Sequence, residues 1–222
     1  LGLRPEGRQG VLARSLESYS SYYGRWAQTW ERQALVRARV AAGDPMVGQR
    51  FLDVVAPFVW GPLSDPEVRE IRRMKARIER ERVPPGEDPQ FHLKLGRGSL
   101  ADVEWTVQLL QLRHSMAEPS TLSAIDRLEA AGALVPYDAR VLRDAYRFCD
   151  RTRNRSYLMH AGPSPSSGRR SAPGDSLPVQ PEQLARLARS LGFSAAGLRE
   201  EYRRVTRRAR AVFERLFYGG GA

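Results

Sequence analysis

The sequence predicts a mostly α fold, a helical bundle preceded by a short β remnant, and three observations carry that reading. Apolar residues recur at helical spacing from Ser15 almost to the chain end. Ser, Asp and Pro stand where helices would start, with Gly or Pro where they would stop. Only residues 1 to 14 show short extended runs around a turn.

Leu1 and Leu3, the Pro5 to Gly10 turn and Val11 to Ala13 read as a hairpin. A lone hairpin is marginal in water, so an upstream segment is expected to complete its sheet. Ser15 with Ser18 opens a helix whose Leu16, Tyr19, Tyr22, Tyr23, Trp26 and Trp30 fall near one face. Aromatics at this spacing favour a core over a base-stacking surface. Val36 to Ala42 continues the pattern toward Gly43-Asp44-Pro45, and a second helix through Phe51, Leu52 and Val55 is expected to break at Pro57 and Pro62. Asp65 as N-cap and Pro66 at the first position start the next helix, with Val68, Ile71, Lys75 and Ile78 on one stripe and Pro84-Pro85-Gly86 as the stop.

Gly96-Arg97-Gly98-Ser99 then precedes a helix to about Met116, with Ser99 and Asp102 at capping-box spacing. Two apolar stripes, one through Leu100, Val103, Val107 and Leu110 and one through Trp105, Leu109, Leu112 and Met116, make this helix central. Its Glu104, Gln108 and Gln111 look across a polar cleft or at solvent. Further helices are expected at about 120 to 131, 137 to 160, 181 to 191 and 194 to 218, with a loop or linker over 161 to 174.

At 222 residues the chain can bury a real core. The start lacks a signal pattern and no apolar run approaches a membrane span, so a soluble chain, cut from something longer, is expected. Cys149 is the single cysteine, which fits a reduced cytoplasmic setting. The formal charge of +11 invites a nucleic-acid reading. Only Lys75 and Lys94 are lysines, so 34 of the 36 basic residues are arginine, a skew that genome composition produces as readily as a binding surface. No nucleic-acid or membrane partner is therefore assigned.

Glycine-rich backbone at a helix start can present free N–H groups to an anion, and Lys94 and Arg97 add charge beside the Gly96 to Ser99 turn; a plain tight turn is the alternative. Asp102 and Glu104 imitate an acid-x-acid metal pair, but on a helix the two point roughly 200° apart. His92, His114, His160 and Cys149 have no metal-ligand spacing. No complete catalytic set is visible.

Leu3-Arg4-Pro5-Glu6-Gly7-Arg8-Gln9-Gly10, Ser15-Leu16-Glu17-Ser18-Tyr19, Trp30 to Arg39 and His92 to Trp105 with Gln108 closely resemble the bacterial bifunctional glutamine synthetase adenylyltransferases/adenylyl-removing enzymes. The ending Phe217-Tyr218-Gly219 resembles actinobacterial members. The resemblance implies that residues 1–62 end a nucleotidyltransferase domain of polymerase-β-like fold, and that 63–222 form a helical domain of the type found in PII uridylyltransferases. It implies transfer of AMP from ATP, with Mg2+, to a tyrosine of glutamine synthetase, and its removal by the full-length protein. PII is a further possible partner.

The resemblance places the metal-binding acids upstream of Leu1, so no catalytic residue is expected in this chain and the chain alone is expected to be inactive. Arg4, Arg8, Arg37, Arg39, Lys94 and Arg97 are the candidates for triphosphate or cleft contacts, with Glu31 and Glu104 as orienting partners. Ser99 stands where the family often has glycine, Ala101 where related uridylyltransferases have Arg, and Arg37 where Lys is frequent. The alternatives are a piece of a PII uridylyltransferase-like enzyme, or a non-enzymatic helical module binding nucleic acid or protein.

Overall fold

The computed structural model describes residues 5–81, 88–160 and 175–219. Among them the regular structure is helical: 3-10 helices at Gly7–Gln9 and Pro89–Phe91, and α1 (Leu16–Arg25), α2 (Thr29–Leu35), α3 (Pro45–Trp60), α4 (Asp65–Glu81), α5 (Leu100–Arg113), α6 (Thr121–Ala130), α7 (Pro136–His160), α8 (Pro181–Ser190) and α9 (Ala195–Tyr218). The mostly α expectation holds. The β remnant does not emerge among the described residues, where the only pairing of β type is an isolated bridge between His92 and Ser176. Leu1 and Leu3 of the expected hairpin lie outside the described residues. In the remainder, left-handed Glu6 and Gly7 turn the chain into the 3-10 helix, and Val11 and Leu12 are exposed without a ladder. Extended residues with no neighbouring strand have nothing to pair with.

The chain divides into two compact units, Leu1–Met74 with Val107–Ala133 and Lys75–Thr106 with Leu134–Ala222. In the first unit α1 and α2 pack on α3. Tyr23 is buried against the rings of Tyr19, Tyr22 and Phe58. Trp26, expected on that face, is 72% exposed, because α1 has ended at Arg25. Residues 36–44 are irregular rather than helical, although Val36 itself is buried.

Pro57 does not break α3, which runs on to Trp60. With about one turn remaining, the proline removes a single ladder bond. The helix end is then sealed from outside: the buried Arg32 guanidinium donates to the carbonyls of Val59 at 2.9 Å, Pro62 at 3.1 Å and Gly61, and to Glu67 at 2.9 Å. Such donors satisfy carbonyls that a helix terminus leaves open. Asp65 is the first residue of α4 and not its cap. The Glu67 carboxylate accepts the Ser64 N–H at 2.8 Å and the Ser64 hydroxyl at 2.6 Å, so Ser64 and Glu67 start the helix. Ser120 caps α6, and Gly132 at φ 71 follows its end.

In the second unit α7, α8 and α9 pack on one another around Leu93, Cys149, Leu184, Leu187, Leu198 and Tyr202. Along α9, Leu198, Tyr202, Val205, Ala209 and Val212 are buried at helical spacing. The 161 to 174 loop falls outside the described residues. Gly98 adopts φ 77 and lies so close to α9 that an added Cβ would collide with the Thr206 carbonyl oxygen. At Gly96 an added Cβ would come within 2.5 Å of the Tyr202 hydroxyl. These glycines allow a helix to approach the turn.

Replacing Gly98 by Ala combines left-handed strain with a backbone collision and is expected to cost about 3 kcal/mol or more. Gly132, also left-handed, has nothing within 4 Å of an added Cβ. Gly132→Ala should therefore cost only the strain, about 1 kcal/mol. Urea denaturation of both variants measures the gap, and equal losses would contradict the packing role of Gly98.

Candidate functional site

Three of the sequence-predicted residues lie in the first unit. Glu31, 2% exposed, accepts the Tyr22 hydroxyl at 2.9 and 3.1 Å and the Gln28 N–H at 2.9 Å. The carboxylate thus closes a capping box on α2. Burial and the bond to Glu31 both push the Tyr22 phenol above its ordinary range. Arg37 and Arg39 are exposed. Arg39 borders a hollow of about 710 Å3 that also has Arg14, Tyr19, Val47 and Phe51 on its walls. Arg14 pairs with Glu6 at 2.6 Å and lies over the Tyr22 ring, 5.5 Å from its centroid.

Lys94, Arg97 and Glu104 belong to the second unit, with Lys94 and Arg97 exposed and Glu104 half-buried. Arg97 pairs with Glu214 at 3.0 Å. Arg4 and the Arg8 side chain lie outside the described residues. The candidates therefore divide between two compact units: Glu31, Arg37 and Arg39 in one, Lys94, Arg97 and Glu104 in the other.

In the turn at 96–99 the N–H groups of Gly96, Gly98 and Ser99 are engaged by acceptors within the chain. Gly96 N–H donates to the His92 carbonyl, Ser99 N–H to Gly96, Leu100 N–H to Leu93 and Ala101 N–H to Lys94. Gly98 N–H donates to Asp102 Oδ2 at 2.6 Å. An anion would have to displace these internal acceptors, so the plain-turn alternative describes the backbone. His92 is structural too: it is buried, and its Nδ1 accepts the N–H groups of Lys94 at 3.2 Å and Leu95 at 3.1 Å.

Sequence reading gave Asp102 only a capping role, and the structure adds a buried charge network. Asp102, 1% exposed, accepts from Lys75 Nζ at 2.5 Å and from Arg210 Nη1 at 2.9 Å. Lys75, also 1% exposed, donates to Glu79 at 2.6 Å. Arg210 reaches Glu79 at 2.8 Å and Glu214 at 2.7 Å. Burial pushes the Glu79 carboxyl up, yet hydrogen bonds from Lys75 and Arg210 outweigh it and hold the group below its usual 4.5. A signal was present: Lys75 sits in the apolar stripe of α4, and a lysine there needs a buried acid.

Among the described residues no group of three or more His, Cys, Asp or Glu could hold a metal ion. Cys149 is buried, and that burial drives its thiol far above its ordinary value. No described helix is long and apolar enough to cross a membrane.

Residues 1–54 match a family model described as glutamate-ammonia ligase adenylyltransferase, and residues 70–217 one described as GlnD PII-uridylyltransferase. The chain is 46% identical over 227 residues to a bifunctional glutamine synthetase adenylyltransferase/adenylyl-removing enzyme of Streptomyces avermitilis, covering 98% of this chain and 22% of that protein. Proteins of the same name from Nocardia farcinica, at 45%, and Mycobacterium bovis, at 47%, are matched over 97% of this chain and 22% of their own length. The chain thus spans about a fifth of the length of the curated relatives it matches.

Asp102→Ala leaves Lys75 buried with one remaining acid and is expected to cost about 3–5 kcal/mol in urea denaturation. The Glu79 effect has a pH signature. Its folded value lies below 4.5, so its contribution is complete above pH 4.5 and disappears as pH falls through the folded value. The stability gap between the wild type and Glu79→Gln should accordingly be constant above pH 4.5 and narrow below it. A gap that widens in acid would contradict the network.

Proposed function

We propose, given that the chain belongs to the family of the bacterial bifunctional glutamine synthetase adenylyltransferases/adenylyl-removing enzymes, that it is the helical, substrate-positioning portion of an enzyme transferring AMP from ATP to a tyrosine of glutamine synthetase. The observation that carries this is 43 to 47% identity to enzymes of that name over 97 to 99% of the chain. The full-length protein also removes AMP, works in the cytoplasm and answers to the PII signalling protein.

Residues 1–62 are the end of the nucleotidyltransferase domain, including the last piece of its sheet, and residues 63–222 are the helical domain. Matches of 1–54 and 70–217 to two different family models support a boundary in this region. ATP brings Mg2+, whose ligands we assign, on the family resemblance, to acids preceding Leu1. When bound, the metal neutralises phosphate charge during transfer. We assign phosphate contacts to Arg4, Arg8, Arg37 and Arg39 of the first unit and to Lys94 and Arg97 of the second. The exposure of Arg37, Arg39, Lys94 and Arg97 leaves them accessible for that role. Glu31 orients through Tyr22, its hydroxyl partner, and Glu104 lies half-buried on α5.

Uridylyl transfer to PII is the second reading, supported by the match of residues 70–217. It draws on the helical part alone, whereas the similarity over nearly the whole chain favours adenylylation. Labelled ATP and UTP separate the two. The chain joined to the upstream residues of its own gene should move AMP from ATP to glutamine synthetase in the presence of Mg2+, and the 222-residue chain should move none. In the joined enzyme Arg37→Gln with Lys94→Gln should raise KM for ATP by about tenfold. Labelling of PII from UTP instead, or transfer by the short chain alone, would overturn the proposal.

A further inference from the structure

The second unit carries a basic hollow of about 460 Å3 on α9, with Gln90, Arg97, Arg203, Arg207, Arg210 and Glu214 on its walls. Four guanidiniums there surround one carboxylate. Arg203 and Arg207 stand one helical turn apart, and neither forms an ion pair among the described residues. The Arg203 guanidinium is fixed over the ring of buried Phe91, 4.9 Å from its centroid. A contact through the guanidinium face leaves its in-plane N–H donors available. Arg210 is held by Asp102, Glu79 and Glu214, and Arg97 by Glu214. Arg203, Arg97 and Arg210 are thereby pre-positioned, and the carboxylate within the hollow is Glu214.

We propose that this hollow binds a small ligand bearing two or three linked phosphates, with Arg203 and Arg207 as its main contacts and Arg97 and Arg210 released to it from Glu214. Linked phosphates concentrate several charged oxygens within a few ångströms, as clustered guanidinium forks require. An extended acidic peptide presents one carboxylate per about 6.6 Å on a face, which suits a long groove better than a hollow of small-molecule size. The site needs neither metal nor glutamine synthetase, and three of its four arginines lie outside the phosphate contacts assigned above. It therefore stands whether or not the transfer reading does.

Calorimetric titration of the 222-residue chain at low ionic strength tests this with pyrophosphate, ATP and AMP. Pyrophosphate and ATP should bind with affinities that fall as salt rises, and AMP about tenfold more weakly. Equal affinity for the first two marks recognition of the phosphate chain alone; tighter ATP marks a nucleoside contribution. Arg203→Gln with Arg207→Gln should weaken binding about 100-fold, because two charge-assisted contacts are lost. Glu214→Gln should tighten it about threefold or more by releasing two guanidiniums. Arg189→Gln and Glu182→Gln, exposed positions on α8, make the same charge changes away from the hollow and should have no effect. Absence of binding, equal effects at the control positions, or capture of a glutamate peptide but not pyrophosphate would overturn the proposal. Circular dichroism verifies that each variant keeps its helices.

Discussion

A carboxylate that is 1% exposed cannot remain ionised in a protein core without partners, and Asp102 recruits them from three places. Its oxygens take a backbone N–H from the glycine turn, an ammonium from α4 and a guanidinium from α9. Desolvating such ions costs several kcal/mol each, so an apolar replacement of the whole set could be equally stable. What the charges supply is register. Lys75 and Arg210 must both reach one carboxylate, and Gly98 must sit against Thr206 for its N–H to do so. Within the second unit, the placement of α9 against the turn is fixed by that one buried acid.

The same network changes the meaning of the charge. A formal +11 suggests a uniformly basic surface, yet several arginines are structural. Arg32 is buried and seals the end of α3, and Arg210 is bound by three acids. Arg153 pairs with Asp175 at 2.6 Å, and Arg215 with Asp138 at 2.6 Å. Other arginines, Arg203 and Arg207 among them, form no ion pair among the described residues. Gross composition could not distinguish the two groups, because both use the same residue type.

Legibility followed the range of the interactions. Caps and stops are local, so α6, α8 and α9 lie close to where Ser120, Gly132, Pro181 and Ser194 put them. Errors gathered where distant residues decide. The persistence of α3 past Pro57 depends on Arg32, 27 residues upstream of the Val59 carbonyl it binds. Residues 36–44 leave the helix although their apolar spacing continues, and Trp26 turns to solvent one residue beyond α1. The residues of the candidate site were readable mainly through family motifs. The Lys75–Asp102 contact spans 27 positions and no short pattern encodes it.

The glycine turn illustrates why a recognisable motif is weak evidence for the chemistry it suggests. Gly96 to Ser99 helped to identify the family, and its composition matches an anion cradle. In the folded chain the N–H groups of Gly96, Gly98 and Ser99 meet His92, Asp102 and Gly96, while the missing side chains make room for Tyr202 and Thr206. Packing alone accounts for both glycines. The turn's charge lies instead on the exposed Arg97 side chain, which shares Glu214 with Arg210. A tight turn made by glycine thus carries one cation to the edge of the basic hollow on α9, and what the motif contributes there is the position of a side chain.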